Sequence, residues 1–409
     1  MSALTSTDPY RAPGGVRGWL TSRVLAAAPF VMRILRRWWP IAGGHSIWIV
    51  TRFDDVVEVF ANDAAFGVPY AENLRVITGG ELFFLGMGDT PEYRVQLEAM
   101  RSVVRREDLP ALGDEAEARA QTLVDRAGGR VEVVQLVRRV SFDLIASYFG
   151  VPEPRNGRLE VWGTRLFEFQ FTGSLSDQAW VDEVSEIARA FREHIDSAVV
   201  ARKGVRGQTD DVLERCLAKQ DDGRDGFSDA EIRTALLCMV VGGPPQPPMV
   251  VTQALEQLLR RPAWLGRAGS AAREGRDSDL HDIVFEAMRF DPLAPGLKRL
   301  ALTDNEVAAG TSRARTIPKG ATVVAAFASA MMDERRIAEP QSFDPGRPAH
   351  NYVHFGHGLH ECFGRHINHA ILHRILKPLL AKPDLRRAGG PRGRLKKRGA
   401  FAERLEVIY

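Results

Sequence analysis

One cysteine stands in a loop whose neighbours restrict what this chain can fold around. The segment reads Phe355-Gly356-His357-Gly358-Leu359-His360-Glu361-Cys362-Phe363-Gly364-Arg365, with glycines six and four residues before Cys362 and two after it. Glycine lets a backbone turn tightly and approach a flat partner closely. Backbone N–H groups aimed at a sulfur tune its basicity, and Gly364 lets a helix begin directly beside such a partner. A buried free cysteine in a glycine-rich turn would account for Cys362 alone; the combined pattern asks for more. Cys216 and Cys238 lie far from it and from each other. With no CxxC pair and no disulfide framework, a reducing cytoplasm is the expected setting. Cys238 reads as core of an apolar helix, and Cys216 as incidental near a charged surface.

The rest of the chain reads as one large, mainly helical domain over 1–409 with a few small β-sheets. Its 55 basic and 52 acidic side chains nearly cancel, which argues against nucleic acid as a partner. No signal peptide is evident, and Val24 to Met32, broken by Pro29, is far shorter than the about 20 apolar residues that span a bilayer. A packed N-terminal helix is expected there, with a membrane-surface helix carrying Trp38, Trp39 and Arg36-Arg37 as the alternative. Ser46 to Val50 reads as a strand leading to a helix that Asp54 could cap. Residues 67–88 read as a long irregular connection, and helical periodicity dominates from Pro91 to about Leu259. Ser228 and Glu231 form a capping box at the start of a helix, Asp229 to about Val241, that is apolar on most faces and therefore buried. It meets Gly242-Gly243-Pro244-Pro245-Gln246-Pro247-Pro248, where each proline costs about 3 kcal/mol inside a helix. Helix is expected again from Met249.

The cysteine segment resembles the ligand loop of cytochrome P-450 enzymes, Phe-Gly-x-Gly-x-His-x-Cys-x-Gly, at every fixed position. The resemblance extends from the Ser46 strand to the C-terminus. It implies the cytochrome P-450 fold, haem b as cofactor, and Cys362 as the thiolate ligand of its iron. Phe355, Gly356 and Gly364 shape that loop, and His360 is placed to reach a propionate. Glu286-Ala287-Met288-Arg289 is similar to the family's Glu-x-x-Arg helix, whose residues three apart share a face. Arg347, in Phe343-Asp344-Pro345-Gly346-Arg347-Pro348, supplies the third member of a structural Glu286–Arg289–Arg347 network. Arg299 falls where the family binds a propionate, with Lys298 as its competitor.

Two departures bear on function. Family members carry an acid–alcohol pair on the distal helix that relays protons to bound dioxygen. Here the matching residues are Gly243, Pro245 and Gln246; neither Pro245 nor Gln246 titrates, although a glutamine amide can orient water. Tyr93 and Leu97 stand where bacterial members place propionate-binding His and Arg. Tyr93 can still donate a hydrogen bond, and Arg94 or Arg101 are possible substitutes. The expected activity is monooxygenation of an apolar small molecule such as a lipid or terpene, with ferredoxin and ferredoxin reductase as electron donors. The alternatives are a hydroperoxide-rearranging or peroxide-using enzyme, and a non-catalytic haem protein. Arg365, His366, His373, Arg374 and Lys377 would offer a basic patch to an acidic ferredoxin, or else form a merely solvated charged face. Leu82, Phe83, Phe84, Leu85, Phe167, Phe169 and Phe171 are candidates for lining a substrate pocket, or core.

Overall fold

The computed structural model describes residues 3–11 and 15–409, the side chains of 15–22 and 25–26 excepted. The helices that carry the argument are α1 (Gly15–Trp38), α2 (Phe53–Ala61), α3 (Ala71–Thr78), α4 (Pro91–Val103), α5 (Leu109–Arg126), α6 (Val133–Phe149), α7 (Leu159–Thr172), α8 (Gln178–Lys203), α9 (Val212–Asp221), α10 (Asp229–Gly242), α11 (Pro247–Leu259), α12 (Pro262–Arg273), α13 (Asp277–Phe290), α14 (Phe327–Ala330) and α15 (Arg365–Leu380). The strands used here are β1 (Ile41–Gly44), β2 (Ile47–Val50), β3 (Phe66–Gly67), β4 (Arg130–Glu132), β5 (Leu297–Ala301), β6 (Asn305–Val307), β7 (Arg315–Ile317) and β8 (Thr322–Ala325). The architecture is mainly helical with small sheets.

Packing divides the chain into two compact units. Among the described residues, one comprises 3–11, 70–116 and 137–248, and the other 15–69, 117–136 and 249–409. In the first, α7, α8 and α10 pack together, and α3 lies against α7 and α8. Residues 67–88 are therefore not simply irregular: they contain α3, closed by Gly79 in the left-handed region at φ 76°. The Asn73 amide ties α3 to α7 by donating to Phe169 O at 2.8 Å and Gly173 O at 3.1 Å. Phe83, Phe84 and Phe169 are core, whereas Leu82 is exposed. Cys216, expected near the surface, is also buried, and burial pushes its thiol up to about 12. The capping box forms as read, with Ser228 and Glu231 each satisfying the other's backbone N–H.

The second unit holds a five-stranded sheet in the order β1-β2-β8-β5-β3, parallel only between β2 and β8. Its buried face packs on Phe53, Val56, Val59 and Phe60 of α2. Asp54 does not cap α2; Arg52 occupies the N-cap, and the Phe53 N–H instead donates to buried Asp333 Oδ2 at 3.1 Å. The cap comes from 280 residues away in sequence. Helix α1 is only partly packed. Arg36 is buried against Ser329, but Val24, Phe30, Trp38 and Trp39 are each more than 60% exposed, which corrects the expectation of a packed N-terminal helix. Among the described residues no helix is long and apolar enough to cross a membrane.

Candidate functional site

The cysteine loop lies in the second unit, immediately before α15. Gly356 and Gly358 take φ of 75° and 76°, a region L side chains rarely adopt. A Cβ at Gly358 would come within 2.6 Å of Phe60 O, so side-chain volume there would push the loop off α2. The Cys362 N–H donates to Phe355 O at 2.9 Å, closing the loop, and the Leu359 N–H reaches Asp63 Oδ2 at 3.3 Å. Cys362 is half-buried, and the Gly364 N–H donates to its sulfur. Burial pushes the thiol up to about 11, while that N–H pulls the other way. A thiol so placed stays neutral near pH 7 until a metal cation binds it, because coordination deprotonates a thiol outright. A Cβ at Gly364 would sit 3.8 Å from the sulfur; glycine leaves that approach clear.

Period-two alternation on β5 separates the two candidate propionate residues. Lys298 faces solvent, whereas Arg299 is 2% exposed, with its guanidinium 4.9 Å from the Phe60 ring centre. The His360 side chain is buried nearby. Burial first, and the positive charge of Arg299 second, pull its pKa down to about 4. Asp63 Oδ1 stands 3.7 Å from His360 Nε2. A thiol with an N–H aimed at it, a buried guanidinium (Arg299) and beside it a buried neutral imidazole (His360) that can donate one N–H form a donor set that suits haem: a ligand for its iron and partners for its carboxylates. The residues present could hold that group.

Behind the loop, Glu286 and Arg289 on α13 meet Arg347. The Arg289 guanidinium grips Glu286 through both oxygens, at 2.6 and 2.8 Å, and Arg347 Nε lies 3.4 Å from Glu286 Oε1. The remaining donors are used on backbone carbonyls. Arg289 reaches Met331, Pro340 and Ser342, and Arg347 reaches Ala338, Glu339 and Ser342. Such completeness is what a buried ion pair needs to offset its desolvation. Tyr352, absent from the sequence reading, donates its hydroxyl to Glu286 Oε2 at 2.9 Å, and Asp344 N–H donates to Oε1 at 2.9 Å. No local spacing signals Tyr352, since its partner lies 66 residues upstream. His354 Nε2 stands 3.2 Å from Phe285 O, which can only accept, so that nitrogen carries the proton.

Most of the basic residues on α15 are neutralised from elsewhere, which weighs against the docking-patch alternative. His373 is buried, Arg365 pairs with Glu361 at 2.5 Å, and Arg374 and Lys377 both bind Glu117 and Asp277. His281 of α13 and His369 of α15 share a 2.9 Å hydrogen bond.

The remaining candidates belong to the first unit and are described there. The prolines of the α10–α11 break remove the donors that Val240, Val241, Gly243 and Pro244 carbonyls would meet in a continuous helix. Two side-chain repairs are visible. The Gln246 amide nitrogen donates to Gly242 O, and buried Ser141 Oγ on α6 donates to Pro244 O at 3.0 Å. The Gln246 N–H reaches Gly243 O at a long 3.4 Å. Gly243 is exposed and Pro245 is buried. Helix resumes at Pro247, two residues earlier than expected, because prolines are tolerated in a first turn whose N–H groups have no partner anyway. Tyr93 is buried on α4 in edge contact with Phe84. Neither proposed substitute turns inward: Arg94 is exposed and held by both oxygens of Asp89, and Arg101 is exposed.

A family model for cytochrome P-450 matches residues 280–387. The chain is 24% identical over 327 residues to cyclomarin C epoxidase CymV of Salinispora arenicola, covering 78% of each. It is also 24% identical to mycinamicin IV hydroxylase/epoxidase of Micromonospora griseorubida, covering 86% of each. The solved ligand-free structure of cytochrome P-450 TbtJ1 superposes with a TM-score of 0.77 at 22% identity, covering 94% of this chain and 97% of that one. Family model, relatives and fold agree with the loop geometry: residues 280–387 match the cytochrome P-450 family, and the chain is similar along most of its length to bacterial epoxidases and hydroxylases and shares the cytochrome P-450 fold.

Proposed function

We propose that Cys362 would bind the iron of haem b through its thiolate and that the enzyme oxidises an apolar small molecule, with residues 1–409 acting as one catalytic domain. The observation that carries the ligand assignment is the glycine-framed loop that directs the Gly364 N–H at the Cys362 sulfur. Bound haem supplies a redox-active iron at which an O–O bond can be cleaved, favoured by an electron-rich thiolate. With haem bound, the Gly364 N–H would tune the basicity of that thiolate, and Arg299 and His360 would hold the carboxylates of the macrocycle. Glu286, Arg289, Arg347 and Tyr352 brace the segment leading into the loop. In the first unit, Gly243, Pro245 and Gln246 line the α10–α11 break without offering a titratable group. The cluster of Tyr70, Phe167 and Phe171, with ring centres about 5 Å apart, supports an apolar substrate.

The direct test is the carbon monoxide difference spectrum of the reduced protein. The wild type gives the red-shifted thiolate band, and Cys362→Ala loses it; haem retained with an unchanged spectrum would overturn the assignment. Turnover with a ferredoxin, its reductase and NAD(P)H tests the electron supply.

A second reading is favoured by the engagement of the Gln246 amide nitrogen with Gly242 O. With one of its two N–H donors engaged there and Pro245 and Gln246 both unable to titrate, these two residues supply no proton relay to dioxygen, whereas a hydroperoxide already carries its O–O bond and a proton. Product formed from substrate and hydrogen peroxide faster than with the ferredoxin system would favour this reading.

A further inference from the structure

Between Asp8 and Asp54 the chain contains no acidic residue, yet it carries seven arginines: Arg11, Arg17, Arg23, Arg33, Arg36, Arg37 and Arg52. Helix α1 occupies the middle of this stretch, and its described side chains sort by face. Met32 and Leu35 are half-buried, and Arg36 is buried where it donates to Ser329 Oγ at 2.9 Å, with Glu334 3.7 Å from its Nε. That face holds the helix to its unit. The outward face carries Val24 (70% exposed), Phe30 (62%), Val31 (45%), Ile34 (38%) and Trp38 (66%). Positions 24, 31, 34 and 38 are separated by three, four or seven residues and share one stripe. Trp39, 61% exposed, extends it beyond the helix. Arg23, Arg33 and Arg37 are exposed along one edge of the stripe, and the Arg37 guanidinium stands 5.3 Å from the Trp38 ring centre.

We propose that this outward face of α1, with Trp39, docks the enzyme on an anionic lipid surface. Aliphatic and aromatic side chains would sink to the boundary between headgroups and acyl chains, with the arginines at the level of the lipid phosphates. Two tryptophans at one end suit that boundary, where an amphipathic ring keeps one side wet. The helix is about 36 Å long, and its chain of arginines and Pro29 keeps it from inserting across the bilayer. Charge complementarity selects this occupant. A second copy of the same acid-free cationic face would repel the first, and an acidic protein would match the arginines but leave the aromatic stripe without a reason. Docking there would hold the enzyme at the phase in which apolar substrates dissolve.

The test is sedimentation of the haem-loaded full-length protein with vesicles of phosphatidylcholine alone and of phosphatidylcholine containing phosphatidylglycerol. Binding is expected to the anionic vesicles, weakened by salt, with a blue shift of tryptophan emission. Each reversal, Arg33→Glu or Arg37→Glu, lowers the partition coefficient by about fivefold or more, and Trp38→Ser with Trp39→Ser lowers it by about tenfold or more. Unchanged carbon monoxide spectra check that these surface variants remain folded. The proposal is overturned by equal affinity for both vesicles, by no binding to either, or by variants that bind as the wild type does. Lipid-free self-association abolished by the tryptophan changes would equally overturn it, assigning the face to a second copy.

Discussion

Glu286, itself fully buried, accepts from two buried arginines, a half-buried tyrosine and a backbone amide. Its spacing from Arg289 was legible, because residues three apart on a helix can pair. The same spacing occurs on any solvated helix, and only burial distinguishes this case. Removing the carboxylate by Glu286→Ala leaves two guanidinium groups buried and unpaired, so a loss of about 3–5 kcal/mol is expected in urea unfolding. Tyr352→Phe removes one hydrogen bond to a charged group, and a smaller loss of about 2 kcal/mol is expected from the same measurement. Histidines set the acid limit. Burial pulls His354 and His373 down to about 3 and His369 to about 4 from an ordinary 6.5. Below 6.5 the unfolded chain therefore binds more protons than the folded one. The stability these neutral rings contribute is complete above pH 6.5 and falls as pH drops towards 3–4, by up to about 1.4 kcal/mol per unit for a fully buried ring. Thermal midpoints measured between pH 7 and 4 should decline, and His354→Gln should flatten the slope.

The start of α10 was readable from Ser228 and Glu231 because a capping box is a contract between residues three apart. The start of α2 was not, because its cap is Asp333, brought in by the fold. Helix α3 was missed although Gly79 marks its end, since a short helix between glycine-rich segments has little periodicity to show. The proline break was plain in the sequence, but its repair was not: nothing local connects Ser141 with Pro244. Ser141→Ala strands a buried carbonyl, and a loss of about 1–3 kcal/mol is expected. Ser141→Thr, which keeps the hydroxyl, should recover part of it; equal losses in both variants would assign the effect to packing alone. In the haem loop, Gly358→Ala should reduce haem incorporation, measured as absorbance per mole of protein, because the added Cβ meets Phe60 O.

Across the molecule, the fold class and the glycine-framed cysteine loop were legible because their motifs are local, whereas surface character was not. A row of basic residues on α15 looked like a docking patch, but Glu117 and Asp277 neutralise it from other parts of the chain. Lys377→Ala is therefore expected to lower stability without weakening the KM for an acidic ferredoxin, and a large rise in that KM would contradict the charge pairing. The N-terminal helix shows the converse: a segment read as packed keeps its aromatic face outside. The α10–α11 break also has a temporal side. A helix bent by a bound water or a substrate can straighten when that guest leaves, but a backbone lacking amide protons at 244, 245, 247 and 248 has nothing with which to re-form its ladder. Its notch is built in at synthesis, so the break keeps the same contour whether or not anything lies against it.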